Sequence, residues 1–382
     1  MRQIYLYVTS SDVGGAQVFV RDLASFFIEK QSSVCIVSGP PKKGCSNFLS
    51  NLPVKSITID SLSNCFSFWG VILAVITVCS ILNRDRRAVH VANSGMAGTV
   101  VRLACVLTFS KCFFVVHGWS YAGWKKYPRR LVFFFVELFF EFFDWLFCSK
   151  IFVSFYDQKE RPIRALNYFR RCRGKVIHNG APKPKKSFVD SRFKRLELSL
   201  GGSIYKLHVL TVARLSKQKD IGCLLNAIAL CPFATLTIVG DGECRDYLVS
   251  LARDLSISTR VKFLGEIDPS LMSNEYCKAD VFVLASNWEG FPISTIEAMS
   301  FGWPVILSDV GGACEVFKYA SDVSLGFPLL NENNPETLAE FLDRYLDPEV
   351  LRDHSYGSKY IYDTCFDSLQ VCEAYEKHLF AK

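Results

Sequence analysis

The stretch VFVLASNWEGFPISTIEAMSFGWPVILSD, residues 281–309, sets two short apolar runs on either side of a glycine-bearing loop and a helical segment. Val281–Ala285 has the length and composition of a buried strand, and Pro304–Ser308 repeats it. Pro292 suits the first turn of the intervening helix, where a backbone N–H has no partner to lose. Strand, helix and strand at this spacing make a βαβ unit, the building block of parallel sheets covered by helices on both faces. Two carboxylates, Glu289 and Glu297, stand eight positions apart around the Gly290-Phe291-Pro292 turn. Three roles are open to them: an acid/base pair, two ligand-holding groups, or surface charges.

The same grammar extends outward in both directions. Strands are expected at Ile4–Thr9, Ser33–Val37, Ala88–Ala92, Phe113–His117 and Lys150–Ser154 in the first half. In the second half they are expected at Leu207–Ala213, Thr235–Val239 and Val261–Leu264, ahead of the two in the opening stretch. Helical patterns such as Ala16–Glu29, Ile221–Leu230 and Arg245–Leu255 separate them. The polar stretch 181–203, with its prolines, lysines and Gly-Gly ending, reads as an interdomain linker. At 382 residues two domains are expected. The fold class is therefore α/β, with two doubly wound Rossmann-like domains, 1–180 and 181–360.

Composition narrows the function. The fifteen cysteines are scattered singly without a Cys-x-x-Cys pair, and six histidines are equally dispersed, so no metal-ligand spacing appears. Dispersed cysteines suit a reducing compartment, and the opening MRQIYLYVTSSDVGG reads as a strand entering a glycine loop rather than a signal peptide. The net charge of +7 is uneven. Residues 1–180 hold 23 Lys/Arg against 10 Asp/Glu, a net +13, while residues 181–382 hold 21 against 27, a net −6. One half thus suits an anionic partner. Nucleic acid is disfavoured, because the basic residues form no recognisable binding module.

In open parallel sheets ligands bind beyond the carboxyl ends of the strands, so the loops after the strands carry the information. Gly14-Gly15 opens the first helix, as an anion-binding turn or simply a tight one. No G-x-x-x-x-G-K-S/T loop is present, which disfavours a P-loop ATPase. His117 falls at the end of an expected strand, where it is either a hydrogen-bonding group for substrate or a loop anchor. Arg214 and Lys219 occupy one loop and are able to hold two phosphates of a diphosphate, although paired basic loop residues are often solvated surface. Gly240 and Gly242 in VGDGE open a further helix, and a glycine pair follows the strand at 304–308.

These residues resemble the retaining glycosyltransferases of family 4, which have the GT-B architecture of two Rossmann-like domains facing across a cleft. The resemblance rests on ARLSKQKD (213–220), VGDGE (239–243) and above all EGFPISTIEAMSFGWPVILSD (289–309). It covers nearly the whole chain, taking in Gly14-Gly15, His117 and VIHNGAP at the domain junction. It implies a nucleotide diphosphate sugar donor held mainly by the second domain. Arg214 and Lys219 would hold the diphosphate, backbone amides around Gly290, Phe291, Pro292 and Ile293 would meet phosphate and sugar, and Glu297 would take the ribose hydroxyls. Glu289 would contact the transferred sugar, with His117 and Gly15 contributed by the first domain. His117, Glu289, Arg214 and Lys219 are the expected catalytic set, with Gly14, Gly15, Gly240 and Gly242 among the donor-binding positions. One departure stands out: His117 is followed by Gly118, where many relatives carry aspartate. No cofactor or metal is expected. The implied acceptor is a glycan, lipid-linked, in bacterial surface polysaccharide (lipopolysaccharide O-antigen or capsule) assembly on the cytoplasmic membrane face. A final helix, about 361–382, is expected to return to the first domain. The alternatives are a sugar-nucleotide epimerase of the same architecture or a non-catalytic nucleotide-sugar-binding subunit. A glycosidase pair is disfavoured, because its carboxylates bracket a bond from opposite sides.

Two greasy segments bear on location. Residues 65–82 are long enough for a membrane span, but their removal would break the βα alternation, and a buried helix is expected. In 125–147, Glu137, Glu141 and Asp144 fall on one helical stripe and every other position after Arg130 is apolar. The acidic stripe favours packing of the apolar arc into the core. The preceding Lys125, Lys126, Arg129 and Arg130 favour peripheral contact with an anionic membrane instead.

Overall fold

A computed structural model describes residues 3–12, 14–41, 47–62, 67–119, 121, 131–162, 174–199, 206–268, 271–318 and 327–381. The chain divides into two compact units, Met1–Asn179 with Leu369–Lys382, and Gly180–Ser368.

The first unit runs β1 (Gln3–Val8), α1 (Gly15–Glu29), β2 (Ser33–Ser38), β3 (Lys55–Thr58), α2 (Phe68–Arg84), β4 (Val89–Asn93) and α3 (Gly95–Thr108). It continues through β5 (Cys112–Val116), α4 (Leu131–Phe147), β6 (Cys148–Phe152), α5 (Phe155–Lys159) and β7 (Lys175–Val176). All strand pairs are parallel, in the order β3-β2-β1-β4-β5-β6-β7. Central strands such as β1 are buried along nearly their whole length, as a sheet covered on both faces requires. The order reverses between β1 and β4, so the loops after these two strands diverge there and leave a crevice position.

The second unit holds α6 (Lys186–Ser199), β8 (Leu207–Val212), α7 (Ile221–Leu230), β9 (Ala234–Val239), α8 (Arg245–Asp254), β10 (Val261–Gly265) and α9 (Met272–Lys278). Then come β11 (Val281–Leu284), α10 (Ile293–Ser300), β12 (Val305–Ser308), α11 (Glu315–Lys318), β13 (Leu329–Leu330), α12 (Pro335–Arg344) and α13 (Pro348–Ile361). Its parallel sheet has the order β10-β9-β8-β11-β12-β13, with the reversal between β8 and β11. Two doubly wound α/β sheets are thus present.

Four expectations need correction. The stretch read as a linker contains α6, whose Arg192 is buried, lies 3.8 Å from the centre of the Trp303 ring and donates to Ser355 Oγ at 2.9 Å. The return to the first unit begins at Leu369 rather than near 361. A π-helical turn at Tyr362–Phe366 follows α13 and stays in the second unit, where the Tyr362 hydroxyl donates to Ala181 O at 2.9 Å and Phe366 packs on Phe291. Beyond it α14 (Ser368–Leu379) sets Tyr375 against Phe19 with ring centres 5.0 Å apart.

The two greasy segments form the other corrections. The helix α2 is only half buried: Ala74, Val75, Val78 and Leu82 enter the core, while Phe68, Trp69, Leu73 and Ile76 face solvent. In α4 the expected arrangement is inverted. Its stripe of Glu137, Glu141 and Asp144 points into the domain, and the apolar arc faces outward. The physical reason is a set of cations on neighbouring elements. Arg102 of α3 donates to Glu137 Oε1 and Oε2 at 2.7 and 2.8 Å and to Asp144 Oδ2 at 3.2 Å, its guanidinium enclosed by Phe114 and Phe140. Lys150 of β6 pairs with Glu141 and Asp144, and Arg161 with Glu141. Burial alone would lower the pKa of Arg102, but Glu137 and Asp144 outweigh it and hold the guanidinium above its ordinary value. Lys150 behaves alike: burial opposes its charge, and Asp144 and Glu141 more than restore it. The basic residues 125–130 lie outside the described residues. Among the described residues no helix is long and apolar enough to cross a membrane.

Candidate active site

At the switch point of the second unit the loop after β8 meets the loop after β11. Backbone and side-chain bonds tie them together: Asn287 N–H donates to Gln218 O at 2.7 Å, Gln218 Nε2 to Trp288 O at 2.8 Å, and Asn287 Nδ2 to Lys217 O at 2.9 Å. This register brings Lys219 to Glu289, whose carboxylate accepts from the ammonium and, at 2.6 Å, from Ser286 Oγ. Glu289 is nearly buried and Lys219 is only partly exposed, so little water screens the pair. Arg214 sits farther out, its side chain 65% exposed, 3.2 Å from the equally open Glu243. Two cations therefore stand at this edge, one held and one accessible.

The helix α10 starts at Ile293, and Pro292 occupies its N-cap position with no side chain capping the first turn. The positive end of the helix backbone thus faces the post-strand edge, where an anion is favoured. Glu297 lies in the second turn and accepts from the Tyr276 hydroxyl at 2.9 Å. Burial, and after it the Glu297 charge, pushes the Tyr276 phenol well above its usual pKa, which keeps it a donor to that carboxylate. The loop after β12 closes on the same region, with Gly312 N–H donating to Glu289 O at 3.2 Å. Gly240 and Gly242 have a local cause: a Cβ on either would fall 2.1 or 2.5 Å from the carbonyl oxygen of Ala213 or Leu215. The loop after β9 packs so closely on the loop carrying Arg214 that only glycine fits.

In the first unit, Gly14 is the N-cap of α1, extended at φ −178°, and Gly15 is the exposed first helical residue. His117 follows β5, 3.3 Å from Asn93 Oδ1 through Nε2, with its ring edge-on to Phe19. Burial pushes its pKa down to about 4, so the imidazole is neutral near pH 7 and offers one donor and one acceptor. Gly118 adopts φ +131°, a conformation that side chains rarely tolerate, so the backbone path after His117 suits glycine. Four neighbours escaped the sequence reading: Ser286, Gln218, Tyr276 and Asn93. The loop after β4, with Ser94 at φ +71° and its hydroxyl 2.5 Å from Thr9 Oγ1, was overlooked although it also follows a strand.

Two parallel, doubly wound domains of this kind define the GT-B class of glycosyltransferase fold. Residues 205–359, in the second domain, match the family model described as glycosyl transferases group 1. It is 29% identical over 354 residues to the O-antigen biosynthesis glycosyltransferase WbnH of Escherichia coli, covering 91% of each chain. It is 27% identical over 327 residues to the Escherichia coli UDP-Gal:alpha-D-GlcNAc-diphosphoundecaprenol alpha-1,3-galactosyltransferase, covering 83% of this chain and 80% of that one. Among solved structures it is similar to sucrose-phosphate synthase from Thermosynechococcus elongatus, with a TM-score of 0.80 at 20% identity. HepE of Anabaena in complex with UDP and glucose gives 0.76, also at 20% identity. Both structural likenesses cover the full length of both chains, and they speak to the fold.

Proposed function

We propose that this glycosyltransferase is a retaining, family 4-type hexosyltransferase. It moves a sugar from a nucleotide diphosphate sugar to a hydroxyl of a lipid-linked glycan in surface polysaccharide assembly, of O-antigen or capsule type. The observation that carries the reading is the set of groups at the β8/β11 switch point: Lys219 paired with Glu289, Arg214 exposed on the same post-β8 loop, and the uncapped start of α10 leading to Glu297. The two relatives from Escherichia coli supply the acceptor class.

In this reading Arg214, Lys219 and the α10 amides neutralise the diphosphate as charge builds on it, so no metal is required. Glu297 takes the ribose diol, and Glu289 orients the sugar beside the anomeric carbon. The bond from that carbon to the diphosphate oxygen breaks with its electron pair going to the diphosphate. The acceptor hydroxyl oxygen bonds to the same face of the carbon, and its proton passes to the departing phosphate oxygen. Gly14, Gly15 and His117 enter the proposal on the family resemblance, His117 as a neutral hydrogen-bonding group.

A panel of nucleotide sugars tested by thermal shift, with and without EDTA, examines this directly, since a bound donor stabilises the fold by mass action. One donor is expected to raise the melting temperature, undiminished by EDTA. Glu297→Ala and Lys219→Ala are expected to lower kcat/KM for that donor about hundredfold, about 2.7 kcal/mol of transition-state stabilisation. Unchanged donor kinetics in both variants would defeat the assignment. Conversion of the sugar nucleotide without any acceptor would establish the epimerase reading instead.

A further inference from the structure

We infer that the outer face of the α2–α3–α4 layer in the first domain is a docking surface for an anionic lipid bilayer, with the helices lying in the plane of the headgroups. This goes beyond the donor chemistry and does not depend on it. The helices α2 and α3 contact each other, as do α3 and α4, so the three form one layer against the sheet. On α4 the outward positions Val132, Phe135, Phe139, Phe142 and Leu146 recur every three or four residues, with Phe133 and Trp145 beside them. On α2 they are Phe68, Trp69, Leu73 and Ile76. Between these helices α3 exposes Leu107, and Phe109 at its end, 82% exposed, meets the Phe147 ring. A water-facing helix normally shows charge outward. Here all three carboxylates of α4 are neutralised inside by Arg102, Lys150 and Arg161, leaving the outward arc uniformly apolar.

The charges identify what covers this face. Among the described residues, none of the three helices shows a carboxylate to water, while Arg84, Arg86 and Arg87 around the partly exposed C-cap Asp85 of α2, and Lys111 after α3, leave the rim net basic. Half of the ten acids in residues 1–180 are buried (Asp12, Glu137, Glu141, Asp144 and Asp157), three of them against the buried cations Arg102, Lys150 and Arg161. Two copies of such a face would repel at their basic rims. An anionic bilayer satisfies both features: the aromatic and aliphatic side chains enter the headgroup–acyl boundary, Trp69 and Trp145 suit the interface, and the rim meets lipid phosphate.

Co-sedimentation of the full-length protein with phosphatidylglycerol-containing vesicles and with pure phosphatidylcholine vesicles tests this. The protein is expected to sediment with the anionic vesicles, about tenfold less with the zwitterionic ones, and less as salt rises. The variant Phe139→Ser/Phe142→Ser/Trp145→Ser removes three side chains that are each more than half exposed and leaves the buried charge cluster intact. It is expected to lose about tenfold or more in vesicle partition while keeping its melting temperature and its thermal shift with nucleotide sugar. Wild-type protein that stays in the supernatant with anionic vesicles, or a variant that partitions undiminished, overturns the inference. So does a wild-type dimer by light scattering that the triple variant converts to monomer without any vesicle binding, because a second copy then covers the face.

Discussion

The β8/β11 switch point and the interior of α4 are both built from acid–base pairs, yet they serve opposite ends. At the switch point Lys219 is held by a nearly buried Glu289, whereas Arg214 meets Glu243 at the rim and remains largely open to solvent. Under α4 three cations and three carboxylates satisfy one another in a closed set, and each residue is at most 5% exposed. Charges left at a rim are available to a ligand. Charges sealed together are architecture, and they free the opposite side of their helix to be apolar.

The largest test of this contrast breaks the sealed set. Arg102→Met leaves Glu137 and Asp144 short of a partner in a dry interior, and is expected to cost about 3–5 kcal/mol by urea unfolding. A loss below about 1 kcal/mol would mean that water reaches the cluster. A smaller effect is expected in the second domain, where the sealed group is neutral. His354 is buried, bonded to the Tyr345 hydroxyl at 2.9 Å, and burial first, with Arg344 second, pushes its pKa down to about 4. Between about pH 6.5 and about pH 4 the unfolded chain takes up a proton that the folded chain refuses, so stability falls as pH drops through that window. The share of His354 is up to about 3 kcal/mol, present above the unfolded pKa, and His354→Gln is expected to flatten this part of the acid limb in urea melts. The smallest effect belongs to the rim. Glu243→Ala removes the partner of an exposed arginine and is expected to change stability by less than about 0.5 kcal/mol, with donor binding retained. A larger loss would move Arg214 from the accessible class to the structural one.

Much of the fold could be read from the sequence because central strands are apolar runs of four to six residues, bounded by glycine, proline or polar loops. The edge strand Lys55–Thr58 is largely polar and exposed, and Lys175–Val176 and Leu329–Leu330 carry too few residues to show a period. The helix α6 was hidden because its few apolar residues are scattered among lysines, arginines and serines, and Arg192, the buried side chain that helps fix it, stacks on a tryptophan more than a hundred positions away. For α4 the periodicity identified both stripes and could not say which faces inward. That choice is made by Arg102, Lys150 and Arg161, which lie on three separate segments outside the helix and are gathered by the fold. At the site, the post-strand loops named Arg214, Lys219, Glu289 and Glu297, but not that Lys219 and Glu289 would pair.

The inward carboxylates of α4 also matter before the domain exists. The segment Leu131–Phe147 emerges during synthesis as one of the most apolar parts of the chain, and seventeen helical residues span about 25 Å, close to the thickness of a bilayer core. Glu137 and Glu141 lie near the middle of such a segment, where a charge costs on the order of 2.5–3.5 kcal/mol for insertion, and Asp144 near its end adds to that, which opposes membrane insertion. The same side chains that later anchor the helix to its own domain therefore act first as a sorting signal against a transmembrane fate.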